Sequence, residues 1–270
     1  MNKLPISVGI LSWGSNQSIR NTLEMCRKNR LFDLVEETII FFQEATSDDR
    51  LLAKEYGLQA IFSEENVGIG KAFYKLAEVS NQEFLLLLEH DWELVEGSRN
   101  TEKELKAAIE LLRGGYDCIR LRHRFKYGYP HYSINRYKGK ELDYYDDWIK
   151  LDHPHLLDAV HWVKKPHEKW PDKIGFEKGF FTANSRYANW TNNPCLYRKN
   201  FYLDVAKDYL GGGIDLEEKI SYWWARQGFK VAQGNGLFKH SDKDKYGYVI
   251  NAKRKLKSLL KLLGGKLSWN

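Results

Sequence analysis

Residues 84–88, Phe-Leu-Leu-Leu-Leu, are five apolar residues without a break, and Glu89-His90-Asp91 follow at once. A strand with one wet face alternates apolar and polar residues. An unbroken apolar run bounded by charge reads as a strand covered on both faces, the condition of a parallel sheet with helical crossovers. The preceding chain supplies the partners that such a sheet requires. Residues 6–13, 37–42 and 58–62 are β-rich and apolar, and helical spacing separates them over 17–29, 48–56 and 69–80. The alternation predicts an α/β fold with a mixed, mainly parallel Rossmann-like sheet flanked by helices.

Beyond residue 90 the pattern predicts a helix over 98–113, ended by Gly114-Gly115, and a strand over 116–121. Residues 123–194 are rich in His, Tyr, Trp, Pro and Lys with little periodicity and read as loops and short elements on one side of the sheet. Strand and turn follow over 195–202. A helix over 215–227 is stopped by Gly228, and a last strand covers 229–233. At 270 residues and 43% hydrophobic content the chain suits one domain over 1–250, in halves 1–122 and 123–250, with an appendage at 251–270.

Charge is unevenly spread. The net charge is +6, and residues 251–270 hold Lys253, Arg254, Lys255, Lys257, Lys261 and Lys266 with no acid. Without those six the remaining Lys and Arg balance the 36 acidic residues, so the body is neutral and a nucleic-acid-binding body is not expected. Cys26, Cys118 and Cys195 are odd in number and far apart, which argues against a disulfide framework or a zinc knuckle. The N-terminal apolar run is too short for a secretory signal, and no apolar stretch is long enough to span a membrane. A cytoplasmic setting is the expectation.

In an open parallel sheet, ligands sit beyond the carboxyl ends of the strands, where Glu89, His90 and Asp91 lie. Carboxylates there can hold Mg²⁺ or Mn²⁺, hard ions that take oxygen ligands, including substrate phosphates. A solvated turn is the plainer reading of three such residues taken alone. The surrounding motifs add to them. "ISVGILSWGSNQSIRNTL", "ENVGIGKAF", "FLLLLEHDWEL", "GGGIDLEEKISYWWARQGFKVAQ" and "LFKHSDK" occur in the order found in nucleotide-sugar glycosyltransferases of the GT-A fold. The chain resembles in particular the large inverting family two, over about 1–125 and 190–245.

The resemblance implies site residues. Asp91 would be the first metal ligand, with His240 returning to the metal or the diphosphate. Glu89 stands where the family has the first Asp of its Asp-x-Asp motif, and it would touch the ribose or a metal-bound water. Ser12 and Trp13 end the first strand, where the family holds the base. Glu44, ahead of Asp48, would contact the nucleoside. Asn66, Gly68 and Lys71 form the loop-to-helix entry near the diphosphate. The family's catalytic acid falls on Glu217, with Asp215 and Glu218 as neighbouring alternatives; three acids at a helix start are equally consistent with simple dipole capping. The implied activity is metal-dependent inverting transfer of a sugar from a UDP-linked donor to a carbohydrate or lipid-linked acceptor. The Gln-x-x-Arg-Trp motif of processive synthases is missing, so repeated polymerisation is not expected.

Trp162, Trp170, Trp190, Trp223 and Trp224 fall in the acceptor half, where an aromatic cleft would suit sugar rings. Residues 252–263 set Leu256, Leu259, Leu260 and Leu263 opposite Lys and Arg. That pattern suits an anionic membrane surface met through 252–267, peripheral on the inner face, or a helix docked on the body or on another chain. Two other functions fit the same sheet. A sugar nucleotidyltransferase would carry a Gly-rich basic loop after the first strand, which "LSWGSNQS" lacks. A non-catalytic carbohydrate- or membrane-binding module would release no nucleoside diphosphate.

Overall fold

The computed structural model describes residues 2–14, 16–129, 131, 134, 155–209 and 216–241. The chain opens with β1 (Leu4–Trp13), α1 (Asn16–Lys28), a single turn α2 (Leu31–Leu34), β2 (Val35–Gln43), α3 (Ser47–Tyr56), β3 (Gln59–Phe62), α4 (Ile69–Val79) and β4 (Phe84–Glu89). β1 pairs with β2 and β4, and β2 with β3, all parallel. Local chemistry sets the helix ends. Thr46 and Asp49 cap α3 reciprocally, and Gly57 closes it at φ 64°. Gly68, at φ 86°, lets the chain turn into α4.

The second half is β5 (Trp92–Leu94), α5 (Ser98–Arg113), β6 (Cys118–Arg122), a 3-10 turn at Leu156–His161, a short helix Pro166–Lys169, β7 (Ile174–Glu177) and β8 (Phe180–Asn184). β9 (Cys195–Arg198), helices Lys199–Ala206 and Leu216–Trp224, and β10 (Lys230–His240) complete the described chain. The sheet runs β3-β2-β1-β4-β9-β6-β10-β8-β7, with β5 against the end of β10. β9 is antiparallel to both β4 and β6 and is wedged between them. The expected mixed, mainly parallel sheet with flanking helices is observed.

Each face of the sheet carries a core. One is filled by Ile19, Leu23, Leu52, Leu105 and Ile109 from α1, α3 and α5 against Ile10, Phe42, Leu86 and Leu88. The other sets Phe73 and Leu76 of α4, with Tyr202, Ile220 and Trp224, against Leu11, Phe41, Leu87 and Tyr197. Burial on both faces explains why the β4 run has no polar alternation.

The structure corrects several sequence expectations. The irregular stretch 123–194 contributes a hairpin, β7–β8, to the sheet edge. Its turn residues Lys178 and Gly179 both have positive φ, 51° and 86°, the two-residue geometry that matches strand twist. Residues 199–206 are helix rather than turn. The last strand continues past 233 to His240, because Gly234 and Gly236 form a bulge rather than a stop: pairing with β6 shifts between Gln233 and Phe238. The tail 251–270 lies outside the described residues, and no described helix is long and apolar enough to cross a membrane.

Candidate functional site

Strand alternation aims a set of polar side chains at one face. Leu85 and Leu87 of β4, Leu11 of β1, Phe41 of β2 and Cys118 of β6 belong to the core on the α4 side. Continuing by twos places Glu89, Trp13, Gln43, Arg120 and Arg122 on that same side. Ser12 alternates to the opposite side and is buried.

At the carboxyl ends of β1 and β2, Trp13 and Gln43 are paired in register. The Trp13 indole N–H donates to Glu44 Oε2 at 2.8 Å. Glu44 takes φ 49°, a left-handed conformation that a non-glycine residue seldom holds. The Gln43 side-chain oxygen is buried and has no hydrogen-bond partner among the described residues. Asn66 spends its side-chain oxygen on the backbone N–H of Gly68 at 2.9 Å, shaping the α4 entry, and Lys71 is exposed.

Asp91 lies in the two-residue turn between β4 and β5. Its Oδ2 meets His240 Nε2 at 3.1 Å, and its backbone carbonyl accepts from Ser241 N–H at 2.8 Å. The sheet makes this pairing possible by setting His240 opposite Trp92, where the two rings touch edge-on at 4.8 Å between centroids. Asp91 Oδ1 and His240 Nδ1 are buried without partners among the described residues. Burial works to raise the Asp91 carboxyl, but the His240 hydrogen bond and the charges of His90 and His240 outweigh it and hold the group below its ordinary range. Glu89 is the reverse case. Burial first, then the negative charges of Asp91 and Glu217, push it well above the carboxylate range.

Glu217 stands in the first turn of helix Leu216–Trp224. One oxygen, Oε1, accepts from Asn192 N–H at 2.6 Å and from the Thr191 hydroxyl at 3.2 Å. The residue as a whole is exposed, while its carboxylate is held against Thr191 and Asn192. The resulting desolvation raises its carboxyl against the two hydrogen bonds and Arg120. Arg120 is buried and paired with Asp158 at 2.6 Å, and it also donates to Asn189 Oδ1 at 2.9 Å. Arg122 donates to Tyr127 O at 3.0 Å and lies 5.1 Å from the Trp92 ring centre. Burial brings its guanidinium down to about 10, although Asp158, Asp91 and Glu217 oppose the shift. His131 and His161 stack at 4.2 Å nearby. Burial keeps both neutral, His131 at about 4 and His161 well below its usual value.

The structure thus gathers Glu89, Asp91, His240 and Glu217 from elements far apart in sequence. It leaves Ser12 buried on the opposite side of the sheet and Lys71 exposed to solvent. Asp215 and the Glu218 side chain lie outside the described residues. Trp190 and Trp224 do not line a cleft: both are in the core, Trp190 stacked on Tyr197 at 5.6 Å. Gln43, Arg120, Arg122, Asp158, Thr191 and Asn192 were not singled out from sequence. Arg120 and Arg122 had a readable signal, two cations at alternate positions inside an otherwise buried strand.

No three His, Cys, Asp or Glu side chains among the described residues converge as an assembled ligand set. The residues nevertheless fit a divalent cation. Asp91 Oδ1 is a buried acceptor with no donor among the described residues, and Glu89 at the end of β4 is a second carboxylate, raised first by burial and then by the negative charges of Asp91 and Glu217, which a cation would offset. Mg²⁺ and Mn²⁺ commonly take only one or two carboxylates and complete their shell with phosphate and water.

No family model and no curated protein matches the sequence. Solved structures do match the fold. S. aureus TarS 1–349 superimposes with a TM-score of 0.53 at 13% identity over 87% of this chain and 60% of that one. The same protein in complex with UDP gives 0.52 at 14% identity, with the same coverage. The mannosyltransferase PcManGT from Pyrobaculum calidifontis, in complex with GDP-Man and Mn²⁺, gives 0.52 at 9% identity over 99% of this chain and 66% of that one. This chain therefore spans 60% to 66% of the length of these structures, and its sheet and flanking helices are those of a glycosyltransferase GT-A-like fold.

Proposed function

We propose that this chain is a metal-dependent inverting glycosyltransferase that moves a sugar from a nucleotide-sugar, UDP-linked in the first instance, to a carbohydrate or lipid-linked acceptor. The observation that carries the reading is the gathering of Glu89 and Asp91, at the carboxyl end of β4, with Glu217 from the first turn of helix Leu216–Trp224. The neighbouring folds that hold UDP, or GDP-Man with Mn²⁺, support it.

Asp91, with Glu89 and His240, would hold Mn²⁺ or Mg²⁺. A bound cation would supply charge stabilisation for the departing diphosphate. Trp13, Gln43 and Glu44 form the nucleoside end, and Asn66 and Gly68 shape the turn beside the phosphates. Glu217 is the general base. Its Oε1 is fixed by Asn192 and Thr191, which leaves Oε2 to take the proton of the acceptor hydroxyl. A raised carboxyl suits that task, since a base works best when its pKa approaches the working pH. The domain is 1–250 in two halves, and the basic segment 252–267 attaches the chain to an anionic inner membrane face.

The test is nucleoside diphosphate release from a panel of UDP- and GDP-sugars, with Mn²⁺ and after chelation. Release that needs both the metal and Glu217 supports the proposal. A protein that binds nucleotide but never turns it over would overturn it.

A further inference from the structure

The buried face of α1 carries a hydroxyl where an apolar residue is expected. Ile19, Thr22, Leu23 and Cys26 form that face, and all four are fully buried. A buried hydroxyl needs a partner. Within a helix it usually turns back to the carbonyl one turn earlier. Thr22 instead donates across 68 residues to the His90 carbonyl at 2.6 Å. His90 is the residue between Glu89 and Asp91, so the bond fixes the peptide that connects the two carboxylates. Asn29, just beyond α1, donates to the Leu94 carbonyl at 2.7 Å on the far side of the same turn. Ser241 N–H holds the Asp91 carbonyl from the β10 side. The turn is thus gripped on both flanks, and Thr22 is the grip nearest the acids.

We propose that Thr22 is a positioning residue for the cation-binding turn. Its hydroxyl sets the His90 peptide so that Glu89 and Asp91 face one cation together. It touches neither substrate nor metal. The proposal rests on the cation role given above to Asp91 and Glu89.

The test uses two variants of the full chain that divide the threonine side chain differently. Thr22→Val keeps the volume and loses the donor. Thr22→Ser keeps the donor and loses a buried methyl. Mn²⁺ alone is titrated, and the free aquo-ion is followed by electron paramagnetic resonance beside a thermal melt. Losing one such hydrogen bond corresponds to roughly tenfold. Thr22→Val should therefore bind Mn²⁺ about tenfold more weakly, whereas Thr22→Ser should stay within about twofold while its melting temperature falls. Wild-type affinity in Thr22→Val would overturn the positioning role and leave the cation site standing. So would an affinity loss in both variants that simply follows their melting temperatures, or a larger loss in Ser than in Val. Absence of Mn²⁺ binding in the wild type would instead overturn the cation reading, and this proposal with it.

Discussion

The two halves of the sheet place their polar groups differently. In β1, β2 and β4 the buried polar side chains are Ser7 and Thr38, in the first half of their strands, and Ser12 and Gln43 at the far ends. The proposed nucleotide-sugar contacts Trp13, Gln43 and Glu89 fall where the strands end. In β6 and β10 the polar groups are inside the strands: Arg120, Arg122 and Gln233 are all buried. The all-parallel half buries no cation within its strands, while the mixed half must satisfy buried cations wherever they occur. Hence Arg120 is met by Asp158 and Asn189, and the Gln233 amide donates to the Arg122 carbonyl at 3.1 Å. The difference separates a rigid shelf on one side from an electrostatically tuned wall on the other.

The largest expected effect bears on that wall. Glu217→Gln preserves shape and hydrogen bonding to Thr191 and Asn192 but removes the base. Transfer should fall by about 10²–10⁴ with nucleotide affinity retained, as read by steady-state turnover and calorimetry. An active Glu217→Gln protein would move the chemistry back to the parallel shelf.

Arg120→Met tests whether the wall depends on its network. It leaves Asp158 partly buried without its cation, and loss of one partner of such a pair costs about 3–5 kcal/mol in urea unfolding. Arg120→Met combined with Asp158→Leu should recover much of that loss. A single variant as stable as wild type would show that the ion pair is incidental.

Glu104 of α5 offers a pH probe of the β10 bulge. It accepts from Gly236 N–H at 2.6 Å, and burial raises its carboxyl to about 7. A folded-state pKa above the unfolded value means stability present below the unfolded pKa and lost as pH rises through about 7. Glu104→Gln keeps an acceptor and escapes that loss. Its stability advantage over wild type should therefore grow between pH 5 and pH 8, to an upper limit of about 3 kcal/mol. A flat difference across that range would refute the shift.

The smallest expected effect lies on the shelf. Gln43→Met removes a buried oxygen that has no partner among the described residues and should raise unfolding free energy by about 1 kcal/mol while weakening UDP binding. A stabilised variant with unchanged UDP affinity would take Gln43 out of the nucleoside pocket.

The same contrast decides what could be read from sequence. The shelf was legible because each βαβ unit is local, and apolar runs with capped helices report both-face burial directly. The spacing predicts a helix over 98–113, and those are the bounds observed. The wall was legible only in parts. β7 and β8 rest on a two-residue turn hidden among aromatics, and the glycine bulge of β10 imitates a strand end. Motif order picks out Asp91, Glu89 and Glu217 as acids but does not say what holds them. The grip of Asn192 on Glu217 spans 25 residues, and that of Thr22 on His90 spans 68. No local pattern carries contacts at that separation.

The wedge of β9 between β4 and β6 has a consequence during synthesis. β1 to β4 leave the ribosome as a nearly complete parallel sheet, but the open side of β4 is a leucine edge that only Cys195–Arg198 can close. At ordinary elongation rates of roughly 5–20 residues per second, that edge waits for several seconds at least. An unpaired apolar edge is a template for adhesion to other chains. Nascent chains halted before Cys195 should therefore be held by chaperones or aggregate, and those released after Arg198 should not. Slow translation through the aromatic stretch would lengthen the interval of risk.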